Sequence, residues 1–118
     1  MPGFDGVLLD IDGVLSVSWE PLPGAIETVA WLRERSVPFR LITNTTTHTR
    51  ARLAATLSGA GIAVDAHEVV TAVVATAAYL RTEASGARVF VLPNPSGRNA
   101  NYSYAEMLAA FKALGRLM

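Results

Sequence analysis

The sequence predicts an α/β fold in which repeated βα units form a parallel, Rossmann-like sheet that is partial or compacted. Short apolar runs typical of buried strands alternate along the chain with segments whose apolar residues recur at helical spacing. The first two apolar runs each end in a group of polar side chains. Because ligands of open α/β sheets bind outside the carboxyl ends of strands, these two ends are the expected functional region.

The first βα unit is predicted to begin with a buried strand over residues 7–11. Pro21, Pro23 and Gly24 then indicate a loop. A helix is predicted to follow, because apolar side chains recur three or four residues apart. Those side chains are Ile26, Val29, Ala30 and Leu32.

The second unit is predicted to have its strand over residues 39–43. A helix follows, and we expect its N-terminal cap among residues 45–47, which are all threonine. Gly59 and Gly61 suit the C-terminal end of this helix. The apolar residues of this helix include Leu53, Ala54 and Leu57.

The second half of the chain repeats the alternation of strand and helix. It predicts a short strand over residues 69–71, an alanine-rich helix ending near Gly86, and a strand over residues 88–92. Residues 103–106 form a capping box, with serine at the cap and glutamate three residues later. The apolar stripe of the last helix is Met107, Leu108, Phe111 and Leu114.

Composition excludes several classes of function. Ten basic and ten acidic residues give a net charge of zero, so no electrostatic attraction to nucleic acid or to an anionic membrane is expected. The absence of cysteine excludes disulfides, zinc–thiolate sites and thiol catalysis. The chain has neither a signal-peptide pattern at its start nor an apolar run of the ~20 residues that span a bilayer, which predicts a cytoplasmic protein.

Two carboxylates, Asp10 and Asp12, end the first predicted strand, and Gly13 lets the chain turn away directly after them. Alternation along an extended chain sends both to one side. Acids at this spacing can act as nucleophile and general acid, and a carboxylate that attacks a phosphoryl group calls for magnesium with oxygen ligands. On the pair alone, two solvated turn carboxylates are an equal alternative.

The second strand ends in a run of small polar residues at 43–47. Hydroxyl groups, an amide and free backbone donors at the start of a helix suit an anion. In a parallel sheet this end lies beside the end of strand one. Capping alone also explains the threonines and is compatible with anion binding. We expect His48 to be a solvated residue of the helix's first turn and Trp19 to be a packing residue.

Together these ends resemble the haloacid dehalogenase superfamily of aspartate-nucleophile phosphatases. Residues 10–15, with the sequence Asp-Ile-Asp-Gly-Val-Leu, resemble the first motif of the family, and residues 41–44, Leu-Ile-Thr-Asn, resemble its second. Residues 21–25 resemble the entry to the first helix in the subfamily with a large α/β cap, which includes NagD-like and nitrophenylphosphatase-like enzymes.

The resemblance implies a haloacid dehalogenase-like fold and a small phosphorylated substrate. It implies that Asp10 attacks phosphorus to form an aspartyl-phosphate, while Asp12 protonates the leaving group and then activates water. Thr43, Asn44 and Gly13 are implied to bind the phosphoryl group. Magnesium is implied at Asp10, through its side chain, and at Asp12, through its backbone carbonyl.

The resemblance also predicts the organisation of the chain. Residues 1–66 correspond to the N-terminal half of the family's core, and residues 67–118 to a cap-like βαβα segment that can also pack as one domain with it. The loop over residues 93–99 stands where a longer cap is expected. The family's later basic and acidic motifs do not occur in these 118 residues, so we expect a truncated relative with impaired hydrolysis.

Strand one is then expected to have an open edge. A compact sheet of all four βα units could cover that edge, or a second copy could do so in a homodimer or domain swap. The competing interpretation is a catalytically inactive α/β module that acts by self-association or partner binding. A sugar-transferase-like metal site at the two aspartates is a further alternative.

Overall fold

A computed structural model describes residues 3–92 and 102–117 of the chain. The chain divides into two compact units, Met1–Ala84 and Ser85–Met118. The loop predicted over residues 93–99 lies outside the described residues. None of the helices in the described part is long and apolar enough to cross a membrane.

The described elements lie close to the positions that the sequence predicts, with two additions, a hairpin and a short 3-10 helix. A small antiparallel hairpin occupies part of the first predicted loop. In chain order the elements are β1 (Val7–Asp10), β2 (Ser16–Val17), β3 (Glu20–Pro21), α1 (Ala25–Glu34), β4 (Phe39–Thr43), α2 (Arg50–Gly59), a short 3-10 helix (Ala66–Glu68), β5 (Val69–Thr71), α3 (Ala72–Glu83) and α4 (Tyr104–Gly115).

Three parallel strands form the sheet of the first unit, in the order β1-β4-β5. Leu41 of β4 lies beside Leu9 of β1 on one side and beside Val69 of β5 on the other. The parallel pairing confirms the predicted α/β class. Strand β5, residues 69–71, pairs in the same sheet as the two strands of the predicted segment 1–66. The division of the chain into segments 1–66 and 67–118 stays a prediction.

One face of the sheet is covered by α1 and α2. The side chains of Leu41 and Val69 lie in the same buried cluster as side chains from both helices. Helix α1 contributes Ala25, Val29 and Leu32, and helix α2 contributes Leu53, Ala54 and Leu57. The helix predicted from the spacing of apolar residues is confirmed as α1. Of the four residues that indicated it, Val29 and Leu32 are buried, and Ile26 and Ala30 are exposed.

The opposite face of the sheet is open. Leu8 of β1 is 68% exposed, Arg40 of β4 is exposed, and Ile42 and Val70 are half-buried. The prediction of a fully buried first strand was therefore wrong at Leu8, because no described helix of this unit covers it. Strand β1 is also at the edge of the sheet, as expected, and the compact sheet of four βα units does not form among the described residues.

The second unit has no strand in its described residues. The strand predicted over residues 88–92 was wrong, because a strand needs a neighbour to pair with and none is described here; Val89 and Val91 are 57% and 83% exposed. The predicted capping box is confirmed at the start of α4. Ser103 Oγ accepts from the amide of Glu106 at 3.3 Å, and the Glu106 carboxylate accepts from the amide of Ser103 at 2.7 Å. The bonds that the amide and the hydroxyl of Ser103 donate to the carboxylate lower the pKa of Glu106.

Candidate functional site

Asp10 is the last residue of β1, and its carboxylate is exposed at the carboxyl end of the sheet. Its Oδ1 accepts a hydrogen bond from the amide of Ile11 at 2.8 Å. The same amide donates to the carbonyl of Ile42 at 3.1 Å, and the Ile11 side chain is buried in the core. Oδ1 is therefore oriented by a fixed piece of backbone, while no donor in the described part of the chain reaches Oδ2.

Asp12 lies on a tight turn that follows β1. Gly13 has φ +83°, a left-handed conformation that suits glycine, and its amide donates to the carbonyl of Ser16 at 2.8 Å. The amides of Leu15 and Ser16 both donate to the carbonyl of Ile11, at 3.1 and 3.0 Å. The backbone that carries Asp12 is thus closed by several short hydrogen bonds, and its side chain remains exposed.

Thr43 connects the ends of β1 and β4. Its side chain is buried, and its Oγ1 donates a long hydrogen bond of 3.4 Å to Asp12 Oδ2. Oγ1 also accepts from the amide of Thr45 at 3.2 Å. The expectation that the ends of the first two predicted strands lie side by side is therefore confirmed by a direct contact between their side chains.

The segment between β4 and α2, residues 44–49, is a polar loop. The hydroxyls of Thr45 and Thr47 lie 3.2 Å apart and share a hydrogen bond. The helix cap is Thr49, whose Oγ1 accepts from the amide of Arg52 at 3.2 Å. The cap predicted among residues 45–47 was therefore wrong, because α2 begins only at Arg50 and the earlier hydroxyls bond within the loop.

His48 is not the solvated first-turn residue that the sequence predicts. It is half-buried in the polar loop, and its ring contacts Trp19, with centroids 6.1 Å apart and planes inclined by 52°. Trp19 lies in the turn of the β2–β3 hairpin, which follows Asp12. The aromatic pair is a second contact between the segment after β1 and the segment after β4.

A concave site opens at the carboxyl ends of β1, β4 and β5. From the predicted functional residues it brings together Asp10, Thr43 and Asn44; Asp12 joins them through its bond to Thr43, and Gly13 is not among the lining residues. The remaining lining residues are Ile42, Val70, Thr71, Ala72 and Ala75.

The wall formed by β5 and α3 was missed by the sequence interpretation. Thr71 ends β5 and caps α3, its Oγ1 accepting from the amide of Val74 at 3.2 Å. The signal was present, because a third apolar run ends in a hydroxyl side chain directly before a helix. Because the apolar run covers only residues 69–71, the pattern predicts a short strand and no site residue there.

The donor set suits magnesium that keeps part of its water shell. The described residues contain no group of three or more histidine or acidic side chains that could enclose a metal ion. Magnesium in proteins commonly takes one or two carboxylates, with waters and substrate phosphate as the other ligands. The carboxylate of Asp10 and the backbone carbonyl of Asp12 are ligands of this type.

Comparisons with known proteins agree with the fold. The family model described as "Haloacid dehalogenase-like hydrolase" matches residues 7–110. An acid sugar phosphatase of Staphylococcus saprophyticus is 32% identical over 100 residues, which cover 85% of this chain and 39% of that protein. The chain thus spans about two fifths of the length of this curated relative.

Two solved structures illustrate the structural similarity. The p-nitrophenyl phosphatase from Archaeoglobus fulgidus aligns with a TM-score of 0.77 and 26% identity, over 99% of this chain and 54% of that one. NagD from E. coli K-12 aligns with a TM-score of 0.64 and 25% identity, over 94% of this chain and 40% of that one.

Proposed function

The chain belongs to the haloacid dehalogenase-like hydrolases, and from this premise we propose that its site hydrolyses small phosphate monoesters through an aspartyl-phosphate on Asp10. The observation that carries the proposal is that Asp10, Thr43 and Asn44 line one cavity at the carboxyl ends of parallel strands. The names of similar proteins, an acid sugar phosphatase and a p-nitrophenyl phosphatase, support a small phosphorylated substrate.

In the first half of the proposed reaction, Asp10 Oδ2 attacks phosphorus and the ester P–O bond breaks. The electron pair of that bond leaves with the ester oxygen, which takes a proton from the Asp12 carboxyl group, so that the alcohol departs neutral. The amide of Ile11, bound to Oδ1, keeps the nucleophile oriented during the attack. The Thr43 hydroxyl, bound to Asp12 Oδ2, holds the general acid near the transferred group.

In the second half, the Asp12 carboxylate accepts a proton from water, and the resulting hydroxyl attacks phosphorus. The P–O bond to Asp10 breaks, which restores the Asp10 carboxylate and releases inorganic phosphate. Asn44 binds the phosphoryl oxygens in both halves. The amide of Gly13 does not, because it already donates to the carbonyl of Ser16, and the Thr43 hydroxyl acts through its bond to Asp12. Fixed donors aimed at these oxygens stabilise the charge of the transition state without having to reorganise.

Magnesium would be held by the carboxylate of Asp10 and the backbone carbonyl of Asp12. When bound, it neutralises the negative charge that otherwise opposes an attack by a carboxylate on a phosphate. The only lysine of the 118 residues is Lys112, in α4 of the second unit. The residues that line the cavity include no lysine or arginine to neutralise the phosphate, so we expect slow turnover by this chain.

Binding of a phosphoryl mimic tests the proposal without requiring turnover. Magnesium with beryllium fluoride should raise the Tm of the chain by about 5 °C or more at saturation, because a ligand bound only by the folded state stabilises it. Asp10→Asn should abolish the shift. Asp5→Asn, which removes an exposed carboxylate ahead of β1, is the matched control and should keep it. A wild-type chain without any shift would contradict the proposal.

A second candidate function, self-association, is favoured by the open edge of β1. The amides of Val7 and Ile11 donate to Pro38 and Ile42, so the backbone groups of Leu8 and Asp10 face away from the sheet. Two copies paired antiparallel about Leu8 would form a continuous sheet and stack the two exposed leucines. Asp10 of each copy would then lie opposite the glycine at position 6 of the other, which keeps like charges apart.

Sedimentation equilibrium tests this second candidate. If β1 pairs with a second copy, the wild-type chain sediments as a dimer and Leu8→Lys as a monomer, because a charged side chain on an edge strand opposes pairing. Val73→Lys is the control, since it adds the same charge at an exposed position on α3. A monomeric wild-type chain at high concentration would exclude the pairing.

A further inference from the structure

The β2–β3 hairpin carries an unusual residue at its turn. Ser18 and Trp19 both have positive φ, +51° and +69°, as the two central residues of a two-residue hairpin turn do in the type I′ geometry. Asparagine and glycine are favoured at these positions, since the left-handed region is unfavourable for residues with a Cβ. A tryptophan in the second position is therefore opposed by the local backbone.

The Trp19 ring reaches the polar loop from this turn. Its centroid lies 6.1 Å from that of His48, within the range of tilted aromatic pairs. Trp19 is 37% exposed and does not belong to the buried cluster of the unit. The ring therefore lies outside the buried core, and it contacts His48 in the loop that follows β4.

Two side-chain contacts join the same two segments at different distances from the sheet. The bond from Thr43 to Asp12 links the segments close to the sheet, and the Trp19–His48 contact links them farther along. One long hydrogen bond allows the segments to turn about it, whereas two separated contacts restrict that rotation. Asp12 stands on the first segment and Asn44 on the second, so the rotation changes the distance between these two groups.

We propose that Trp19 and His48 are positioning residues, whose contact fixes the β2–β3 hairpin against the polar loop and so sets the geometry between Asp12 and Asn44. One consequence of this proposal, tighter binding of a phosphoryl group, rests on the proposed function. The contact itself is a property of the folded chain and can be tested separately.

Trp19→Gly is the most informative variant. It removes the ring and places at this φ the residue that the turn favours, so stability should be unchanged or higher. A merely structural ring would instead lower the Tm when removed. Trp19→Phe keeps an aromatic ring and should restore the contact in part. The control is Trp31→Phe, which changes an exposed ring beside Arg35. Trp31→Gly cannot serve as the control, because Trp31 lies within α1 and a glycine there would destabilise the helix.

The first measurement is amide hydrogen exchange on the 118-residue chain without ligand. Trp19→Gly and His48→Ala should each speed exchange in both segments, residues 12–21 and residues 44–49, while the strands keep their protection. Trp31→Phe should change neither segment. Faster exchange in Trp19→Gly that is confined to the hairpin would overturn the proposal, because the ring would then not hold the loop.

The second measurement is the affinity for beryllium fluoride in the presence of magnesium. Trp19→Gly should weaken binding about tenfold, as expected for a displaced binding group, and Trp19→Phe should recover part of the loss. Equal affinity of wild type and Trp19→Gly would overturn the positioning role. If the wild-type chain binds no beryllium fluoride, the proposed function fails, and the exchange experiment alone then decides whether the pair holds the loop.

Discussion

The two faces of the three-stranded sheet differ, although the same strands form both. On one face Leu41 is fully buried beneath α1 and α2, whereas on the other Leu8 is 68% exposed. The candidate site lies where the two faces meet at the carboxyl end of the sheet. Thr43 reaches it from the covered face, and Asp10 from the open face.

The covered face stabilises the fold, and the open face leaves the candidate site accessible. The covered face holds the backbone of the strand ends in place, through buried residues such as Ile11 next to Asp10. The open face leaves the carboxylate of Asp10 accessible to a ligand. The buried core fixes the positions of the site residues, and a ligand can reach them because no helix covers the open face of the sheet there.

The largest expected effect comes from a matched pair of leucines on opposite faces. Leu41→Ala should lower the free energy of unfolding by about 2–5 kcal/mol, because it leaves a cavity in the core. Leu8→Ala should change it by no more than about 0.5 kcal/mol, since the side chain is already exposed. Urea denaturation of both variants measures the difference. Similar losses in both would mean that Leu8 is covered in solution.

A smaller effect is expected where α1 meets the chain after α2. Gly61 has φ +101°, and a Cβ there would lie 2.9 Å from Ile26 Cδ1. Gly61→Ala should cost about 1–3 kcal/mol of stability from backbone strain and the close contact. Gly59→Ala is the control: nothing lies within 4 Å of its added Cβ and it ends α2, so this change should be neutral or stabilising by up to about 1 kcal/mol. A neutral Gly61→Ala would contradict the packing described here.

The ion pair between Arg33 and Glu68, 2.9 Å long, ties α1 to the 3-10 helix. Burial alone would raise the pKa of Glu68, but the hydrogen bond from Arg33, the amide of Asp65 and the positive charge outweigh it, so the pKa is lowered. Between the ordinary pKa of a glutamate and the lowered pKa of Glu68, unfolding is therefore accompanied by protonation of the Glu68 carboxylate. The stabilisation is present at neutral pH and is lost as the pH drops below the ordinary glutamate range, through the lowered pKa.

Glu68→Gln should cost about 1–2 kcal/mol at pH 7 and should make stability fall less steeply toward acid. Denaturation curves at pH 7 and in steps down to acid measure both effects. Glu34→Gln, at an exposed position near the end of α1, should leave the pH dependence intact. An unchanged acid slope in Glu68→Gln would show that the ion pair is not formed in solution.

The smallest effect is expected at Ser16, the first residue of β2. The hydroxyl of Ser16 is buried and is the one buried side-chain polar atom in the described part of the chain that has no hydrogen-bond partner. Ser16→Ala should therefore leave stability within about 0.5 kcal/mol of wild type or raise it slightly. A thermal scan measures this change. A clear loss of stability would indicate a bound water or another partner at this hydroxyl.

Local patterns predicted the elements whose signals lie within a few residues. The strand at residues 39–43, the glycines that end α2 and the capping box at Ser103 were found in this way. The neighbouring positions of Asp12 and Thr43 followed from parallel pairing alone. These predictions succeeded because backbone geometry and side-chain spacing decide them without knowledge of distant contacts.

Features that depend on distant partners were not predicted. The run over residues 88–92 has the composition of a strand, yet a strand forms only beside another one. The exposure of Leu8 depends on which face receives a helix. The β2–β3 hairpin was missed because its turn is Ser18-Trp19 instead of a pair such as Asn-Gly, and the His48 contact depends on that turn.

Fluorine NMR of beryllium fluoride with magnesium tests the central claim most directly, that Asp10 at the meeting of the two faces accepts a phosphoryl group. A bound fluoride resonance should appear with the wild-type chain, persist in Asp5→Asn and disappear in Asp10→Asn. A wild-type chain with no bound resonance, or a resonance that survives Asp10→Asn, would contradict the assignment of Asp10 as the phosphoryl acceptor.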